Sequence, residues 1–193
     1  MIHPHTELRL ISPSKGYGVF ATKTIPAGTL TWVLDPLDRR LSTEEMAALP
    51  PAAKEALNTY AFNNADGSAV LCWDFGRFLN HSCDPSCICM GVVCDIAART
   101  ILPGEQLTCE YGLLNGEERF DCHCGAPACR GKIDRAGFEA TAKNVDKQVS
   151  DLVPAISLVP QPLLTHMLPE ERRRLDRILA GHEPIPSCLE NFP

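Results

Sequence analysis

The sequence predicts a mainly β chain of the β-rich α+β class. Three observations lead there. Short apolar and β-branched runs recur between residues 7 and 111, proline and glycine interrupt them every few residues, and helix chemistry is confined to a few short stretches. The 193-residue length fits one domain with an appendage.

The elements follow in order. Over residues 7–34, Leu8, Leu10, Val19, Phe20, Leu30, Trp32 and Val33 fall into short strands broken by Pro13, Gly16, Gly18, Pro26 and Gly28. Ile25-Pro26-Ala27-Gly28 reads as a turn joining two of them. Ser42-Thr43-Glu44-Glu45 has capping-box spacing, and Pro51 opens a second short helix carrying Leu57, Tyr60 and Ala61 on one face. Residues 69–79, 88–98 and 105–111 are strand-like, residues 80–87 are a loop, and Leu102-Pro103-Gly104-Glu105 is a turn. After residue 133 cysteine almost disappears and prolines recur. One helix pattern runs from Pro169 to about Ala180, with Leu168, Leu175, Ile178 and Leu179 as its stripe and Gly181 as its stop. There is no internal repeat and no low-complexity tract.

Composition narrows the class. With 45% hydrophobic and 22% charged residues, the chain is not collagenous, coiled-coil or wholly disordered. The net charge is −6, and both parts are acidic: 11 Lys+Arg against 15 Asp+Glu up to residue 133, and 7 against 9 beyond it. That balance argues against direct nucleic-acid binding and suits a cationic partner. Ten cysteines are present, nine of them between Cys72 and Cys129. MIHPHTELRL has no basic start followed by an apolar core, and no apolar run reaches the roughly 18 residues of a membrane span. A cytoplasmic protein without membrane contact is expected, or a nuclear one in a eukaryote. In such a compartment clustered thiols serve metal binding or catalysis more often than disulfides.

Four motifs carry chemistry. Gly16-Tyr17-Gly18 alone is a turn, or a backbone bent to let a ligand approach; it lacks the third glycine of a dinucleotide fingerprint. Arg77-Phe78-Leu79-Asn80-His81-Ser82-Cys83-Asp84-Pro85 reads as an Asx-type turn with a half-buried histidine. His81 and Cys83 are too close in sequence for a nucleophilic pair, whose members converge from distant segments. Gly104-Glu105-Gln106-Leu107-Thr108-Cys109-Glu110-Tyr111-Gly112 is the third motif. In the fourth, Cys122-x-Cys124-x4-Cys129 supplies three thiolates in a loop too short for its own core, and a tetrahedral zinc needs a fourth ligand. Cys83 is the best candidate; His123, squeezed between two ligands, is a sterically poor alternative. Cys72, Cys87, Cys89, Cys94, Cys109 and Cys188 read as small buried hydrophobes, with Cys87 and Cys89 close enough to Cys83 to be further ligands.

Taken together and in this order, the four motifs resemble the SET-domain family of protein-lysine methyltransferases with a cysteine-rich post-SET segment. The resemblance covers residues 6–133: a SET domain over 6–117 and a post-SET zinc segment over 118–133, followed by a partly helical extension over 134–193 to which the resemblance does not reach. It implies small curved β-sheets with a pseudoknot, where the segment carrying Tyr111 passes the loop carrying Asn80 and His81. It further implies S-adenosyl-L-methionine bound by Lys15, Gly16, Tyr17, Gly18, Arg77, Asn80, His81 and Tyr111, with Tyr111 at the methyl-transfer centre. One structural Zn2+ on Cys83, Cys122, Cys124 and Cys129 is implied, and a substrate channel formed by Trp32, Tyr60 and Cys109. The implied partner is a protein presenting a lysine in a basic segment, such as a histone. The contrasting reading is a non-catalytic, zinc-stabilised module that holds a basic peptide in the same groove.

The chemistry makes sense of such a set. A lysine amine, with an unperturbed pKa of about 10.4, must be neutral and in line with the methyl it receives, so positioning outweighs acid–base strength. Three departures from the family pattern stand out. Cys109 replaces the usual aromatic two residues before the tyrosine, which leaves room for higher methylation states unless Tyr60 or Phe62 refills it. Thr31-Trp32-Val33-Leu34-Asp35-Pro36 replaces a Gly-Glu-Tyr-like stretch, and Ser86 stands where asparagine commonly follows the proline.

Overall fold

The computed structural model describes residues 1–91, 94–114 and 120–191. Its strands are β1 (Thr6–Ser12), β2 (Gly16–Ala21), β3 (Leu30–Val33), β4 (Arg39–Leu41), β5 (Ala61–Asn63), β6 (Ala69–Leu71), β7 (Asn80–His81), β8 (Cys87–Met90), β9 (Cys94–Ala97), β10 (Gln106–Cys109), β11 (Phe120–Asp121) and β12 (Lys132–Ile133). Its α-helices are α1 (Thr43–Ala48), α2 (Pro51–Tyr60), α3 (Phe138–Ile156) and α4 (Pro169–Leu179). Among the described residues the strands form four small sheets, ordered β1-β2-β10-β7, β3-β9-β8, β4-β6-β5 and β11-β12. This is the β-rich architecture the sequence predicts.

Local chemistry explains most boundaries. At α1 the Ser42 hydroxyl accepts from the Glu45 N–H and the Glu45 carboxylate accepts from the Ser42 N–H, the reciprocal pair of a capping box. Pro51 opens α2, where its missing N–H costs nothing. Gly28 closes the turn after Ile25 at φ 81°. Ala61 departs from the expected helix face: it ends α2 and pairs with Leu71 as the first residue of β5. The strand expected over 69–79 stops at Leu71, because Asp74 caps a 3₁₀ turn over Phe75–Phe78 by accepting from the Gly76 N–H. Within the stretch 88–98, β8 pairs antiparallel with β9; residues 92 and 93 lie outside the described residues.

Residues 80–87 were expected to be loop, yet Asn80 and His81 form a short strand parallel to β10, in register with Thr108 and Cys109. Ordinary parallel pairing requires a long crossover. Here the β8–β9 pair intervenes, and the pairing brings Asn80 and His81 beside Tyr111.

The segment beyond residue 133 packs into the main core. Ala142, Val145, Val149, Ile156, Leu163 and Leu175 share one buried cluster with Leu30, Ile88 and Ile96 of the β3-β9-β8 sheet. The Gln161 side chain accepts from the Leu30 N–H and donates to the Gly28 and Ile156 carbonyls. A Cβ on Gly28 would stand 2.8 Å from that of Ala155, so the glycine also admits α3. The sequence reading missed α3 because Pro154 recurs with the other prolines. Proline in the last turn removes a single helical hydrogen bond and leaves the preceding turns intact. The helix α4 has its predicted stripe and stop, with Leu175 and Ile178 buried and Gly181 at φ 71°. The expected boundary at 117/118 falls on residues 115–119, outside the described residues. No described helix is long and apolar enough to cross a membrane.

Candidate active site and metal centre

Tyr111 opens a 3₁₀ turn one residue after the end of β10, with Glu110 between them. Its hydroxyl donates to the Leu79 carbonyl at 2.7 Å, and its backbone N–H donates to His81 Nδ1 at 3.2 Å. The rings of His81, Tyr111 and Phe120 form a triangle with centroid separations of 5.5 to 6.1 Å. Burial, reinforced by Cys109, pushes the Tyr111 phenol well above its ordinary range, so it remains a hydrogen-bond donor and not a base.

A cavity of about 680 Å³ opens beside Tyr111. The three expected channel residues, Trp32, Tyr60 and Cys109, all line it, as do Arg77 and Phe62. Trp32 packs edge-on against Phe62 with centroids 5.6 Å apart, and its indole N–H is buried without an acceptor. Both rings considered for the space left by Cys109 are therefore in the wall. Asp134, Arg135 and Phe138 complete one side, so the segment after residue 133 contributes to the cavity.

The glycine pair does two different jobs. Gly16 adopts φ 71°, and a Cβ there would meet nothing within 4 Å, so the start of β2 is open to a ligand. At Gly18 a Cβ would collide with the side chains of Gln106 and Ile11 and crowd that of Asn80. Asn80 donates to the Tyr17 carbonyl at 2.9 Å and to Gln106 Oε1 at 3.0 Å, tying the glycine strand to β7 and β10. Of the expected cofactor residues, Arg77 and Tyr111 line the cavity, whereas Lys15, Gly16, Tyr17, Gly18, Asn80 and His81 lie outside its lining; Lys15 sits in the exposed β1–β2 turn, where its N–H donates to the Ser12 hydroxyl.

The thiols converge as well. His81, Cys83, Cys122 and Cys124 place one ligand atom each within 4.8 Å of one another. Cys122 Sγ lies 3.7 Å from Cys83 Sγ and 3.7 Å from Cys129 Sγ. Zinc–sulfur bonds of about 2.3 Å in a tetrahedron require sulfurs about 3.8 Å apart, so the thiol spacing suits that metal. The sulfurs also receive N–H donors as thiolates do: Cys83 Sγ accepts from the Arg130 backbone N–H and Nε, and Cys124 Sγ from the Cys83 N–H. Burial opposes ionisation of Cys124, but the N–H groups of Cys83 and Ala126 and the neighbouring thiols outweigh it and draw the group down.

His81 is the unexpected member of the cluster. Because its Nδ1 accepts from the Tyr111 N–H, the neutral ring carries its proton on Nε2, which then donates to Cys83 Sγ at 3.4 Å. A protonated nitrogen has no lone pair for a metal. Burial and Arg130 hold His81 below its ordinary pKa despite Glu110, which keeps the neutral form.

Two site residues escaped the sequence reading. Glu110, 6% exposed, accepts from the single Nη2 of Arg130 through both carboxylate oxygens, at 2.6 and 2.8 Å, and accepts a further bond from the Gly112 N–H. The pair clamps the Tyr111 segment to the cysteine loop. Their positions beside Tyr111 and Cys129 were the available signal.

This fold and these motifs define a class: the chain belongs to the SET-domain family, whose model matches residues 16–112. Over 157 residues it is 27% identical to histone-lysine N-methyltransferase TRX1 of Oryza sativa subsp. japonica, covering 71% of this chain and 14% of that protein. The H3 lysine-36 specific histone-lysine N-methyltransferase of Cryptococcus neoformans is 28% identical over 141 residues, or 64% of this chain and 16% of the relative. That of Schizosaccharomyces pombe, H3 lysine-4 specific, is 37% identical over 68 residues, or 32% and 7%. The chain thus spans under a fifth of the length of these relatives. Among solved structures, the methyltransferase domain of human histone-lysine N-methyltransferase SETMAR aligns with a TM-score of 0.48 and 21% identity, covering 69% of this chain and 58% of that one.

Proposed function

We propose that this chain is an S-adenosyl-L-methionine-dependent protein-lysine N-methyltransferase with one structural Zn2+. The observation that carries the reading is Tyr111, its phenol protonated and fixed on the Leu79 carbonyl in the wall of a cavity that also holds Trp32, Tyr60 and Cys109. Family membership and the histone-lysine methyltransferases among its relatives support it. The substrate is a lysine in a basic segment of a histone or other basic protein, in an intracellular setting.

Lys15, Gly16, Tyr17, Gly18, Arg77, Asn80, His81 and Tyr111 would hold S-adenosyl-L-methionine; the open backbone at Gly16 fits that role, and the His81 ring, committed on both nitrogens, leaves its backbone for the ligand. When bound, this cofactor supplies a methyl group on a positively charged sulfonium. The chain's residues do the rest by placement. Aromatic walls at Trp32 and Phe62 take the methylene stem of the lysine and disfavour its charged head, which assists loss of a proton to solvent. Tyr111 orients the reacting groups through its hydroxyl and ring. Cys83, Cys122, Cys124 and Cys129 would hold the zinc, which supplies folding energy and not reactivity.

Transfer of a tritiated methyl group to a pool of lysine peptides tests the reading. Tyr111→Phe should lower transfer by about 100-fold or more while cofactor binding changes little. Absence of transfer by a zinc-replete preparation that binds the cofactor would instead favour the non-catalytic peptide-binding module.

A further inference from the structure

Asp95 lies on β9, the central strand of its sheet, where register pairs it with Trp32 on one side and Cys89 on the other. Its chain neighbours Cys94 and Ile96, on the opposite face, are 1% and 0% exposed, as expected of a covered central strand. Asp95 breaks that pattern: it is a carboxylic acid, and it lines the same cavity as Tyr111. Among the described residues its carboxylate accepts no hydrogen bond and joins no ion pair.

Its surroundings are short of cations. The Met1 ammonium is the one positive group that acts on it, and that ammonium is already paired with Asp35 and Asp38. The thiols of Cys72, Cys87, Cys89, Cys94 and Cys109 make up the other titratable groups around it. All are driven upward, chiefly by burial and for Cys89 chiefly by its bond with Cys188, and stay neutral. Arg77 and Arg135 also line the cavity, Arg135 next to Asp134, while Arg77 donates to the Cys72 carbonyl and stacks on Phe78. Burial pushes the Asp95 carboxyl up to about 7, against the pull of the Met1 ammonium. An isolated carboxylate in such a place is costly, and a cation entering the cavity would offset that cost.

We infer that Asp95 is a recognition residue of this cavity, accepting the ammonium head of an alkylammonium side chain whose stem lies against the wall formed by Trp32 and Phe62. That the side chain is a lysine to be methylated rests on the proposed function; the cation site does not. The carboxylate holds the charged head on arrival, before the amine loses its proton. It therefore acts on binding more than on the chemical step.

The test uses n-butylammonium as the probe and n-butanol as its neutral counterpart, each titrated into the intact chain while the Trp32 indole N–H resonance is followed. We expect a saturable shift with butylammonium, at an affinity at least about tenfold above that of butanol, and a comparable loss in Asp95→Asn. In methyl transfer, Asp95→Asn should raise KM for a lysine peptide about tenfold or more and leave kcat within about threefold. Equal response to the two probes in the unaltered protein overturns the inference without any variant, as does an unchanged KM in a folded Asp95→Asn. A chain that binds butylammonium through Asp95 yet transfers no methyl would sink the methyltransferase reading and retain the cation site. A chain that transfers methyl with no preference for the cation would do the reverse.

Discussion

Cys109 stands two residues before Tyr111 and lines the cavity where a larger side chain would fill it. Burial drives its thiol well above the ordinary range, so it is a small wall and not a nucleophile. Replacing it with phenylalanine adds a ring to the space beside Tyr111. Cys109→Phe should shift the products of the proposed reaction toward monomethyl-lysine, read by mass spectrometry of a methylated peptide. An unchanged product distribution would show that Tyr60 and Phe62 already set the limit. At this scale the sequence was most informative: Tyr111, Asn80, His81 and the glycine pair sit in recognisable strings. Asp95 and Glu110 were not legible, because a lone carboxylate in a strand-like run shows neither its depth nor its partner.

At the scale of elements, the cysteine loop is fastened to the body by two devices. One is the thiol cluster, and the other is the Glu110–Arg130 clamp, with Thr141 of α3 accepting from the same guanidinium at 2.9 Å. For the proposed zinc, the hydrogen bond from the Tyr111 N–H to His81 favours Cys129 over the histidine as the fourth ligand. We predict one zinc per chain, lost or sharply reduced in Cys129→Ser and retained in His81→Asn, measured by elemental analysis of the folded proteins. The opposite pattern would make His81 the ligand. Three of the four thiols were legible from spacing alone. The fourth, Cys83, was legible from its polar loop; the histidine beside it depends on the parallel pairing of β7 with β10, which two residues of strand cannot announce.

The whole molecule is held by a core that crosses the expected boundary after residue 133. Leu163 is 0% exposed and packs in one cluster with Leu30 and Ile88, although it lies beyond the region matched to the SET family. Leu163→Ala should destabilise the entire chain by about 2–5 kcal/mol. That lowers Tm by roughly 4–20 °C in a protein of this size, observed as one cooperative transition. A separate early transition, with the remainder unmoved, would show that the segment folds on its own.

The sequence by itself determined the β-rich class, the capped short helices, the SET resemblance and the residues that carry the proposed chemistry. Each of these is written in local patterns: turn residues, caps, and motif strings whose members are neighbours in the chain. The tertiary structure alone decided that Asn80 and His81 form a strand, that Gly18 makes way for Asn80 and Gln106, that α3 and Gln161 close the core, and that Asp95 lines the cavity without a partner among the described residues. Those outcomes depend on long-range packing, which pairs residues far apart in sequence. The physical reason is that burial and hydrogen-bond partnership belong to the assembled fold, whereas a propensity belongs to a short stretch of chain.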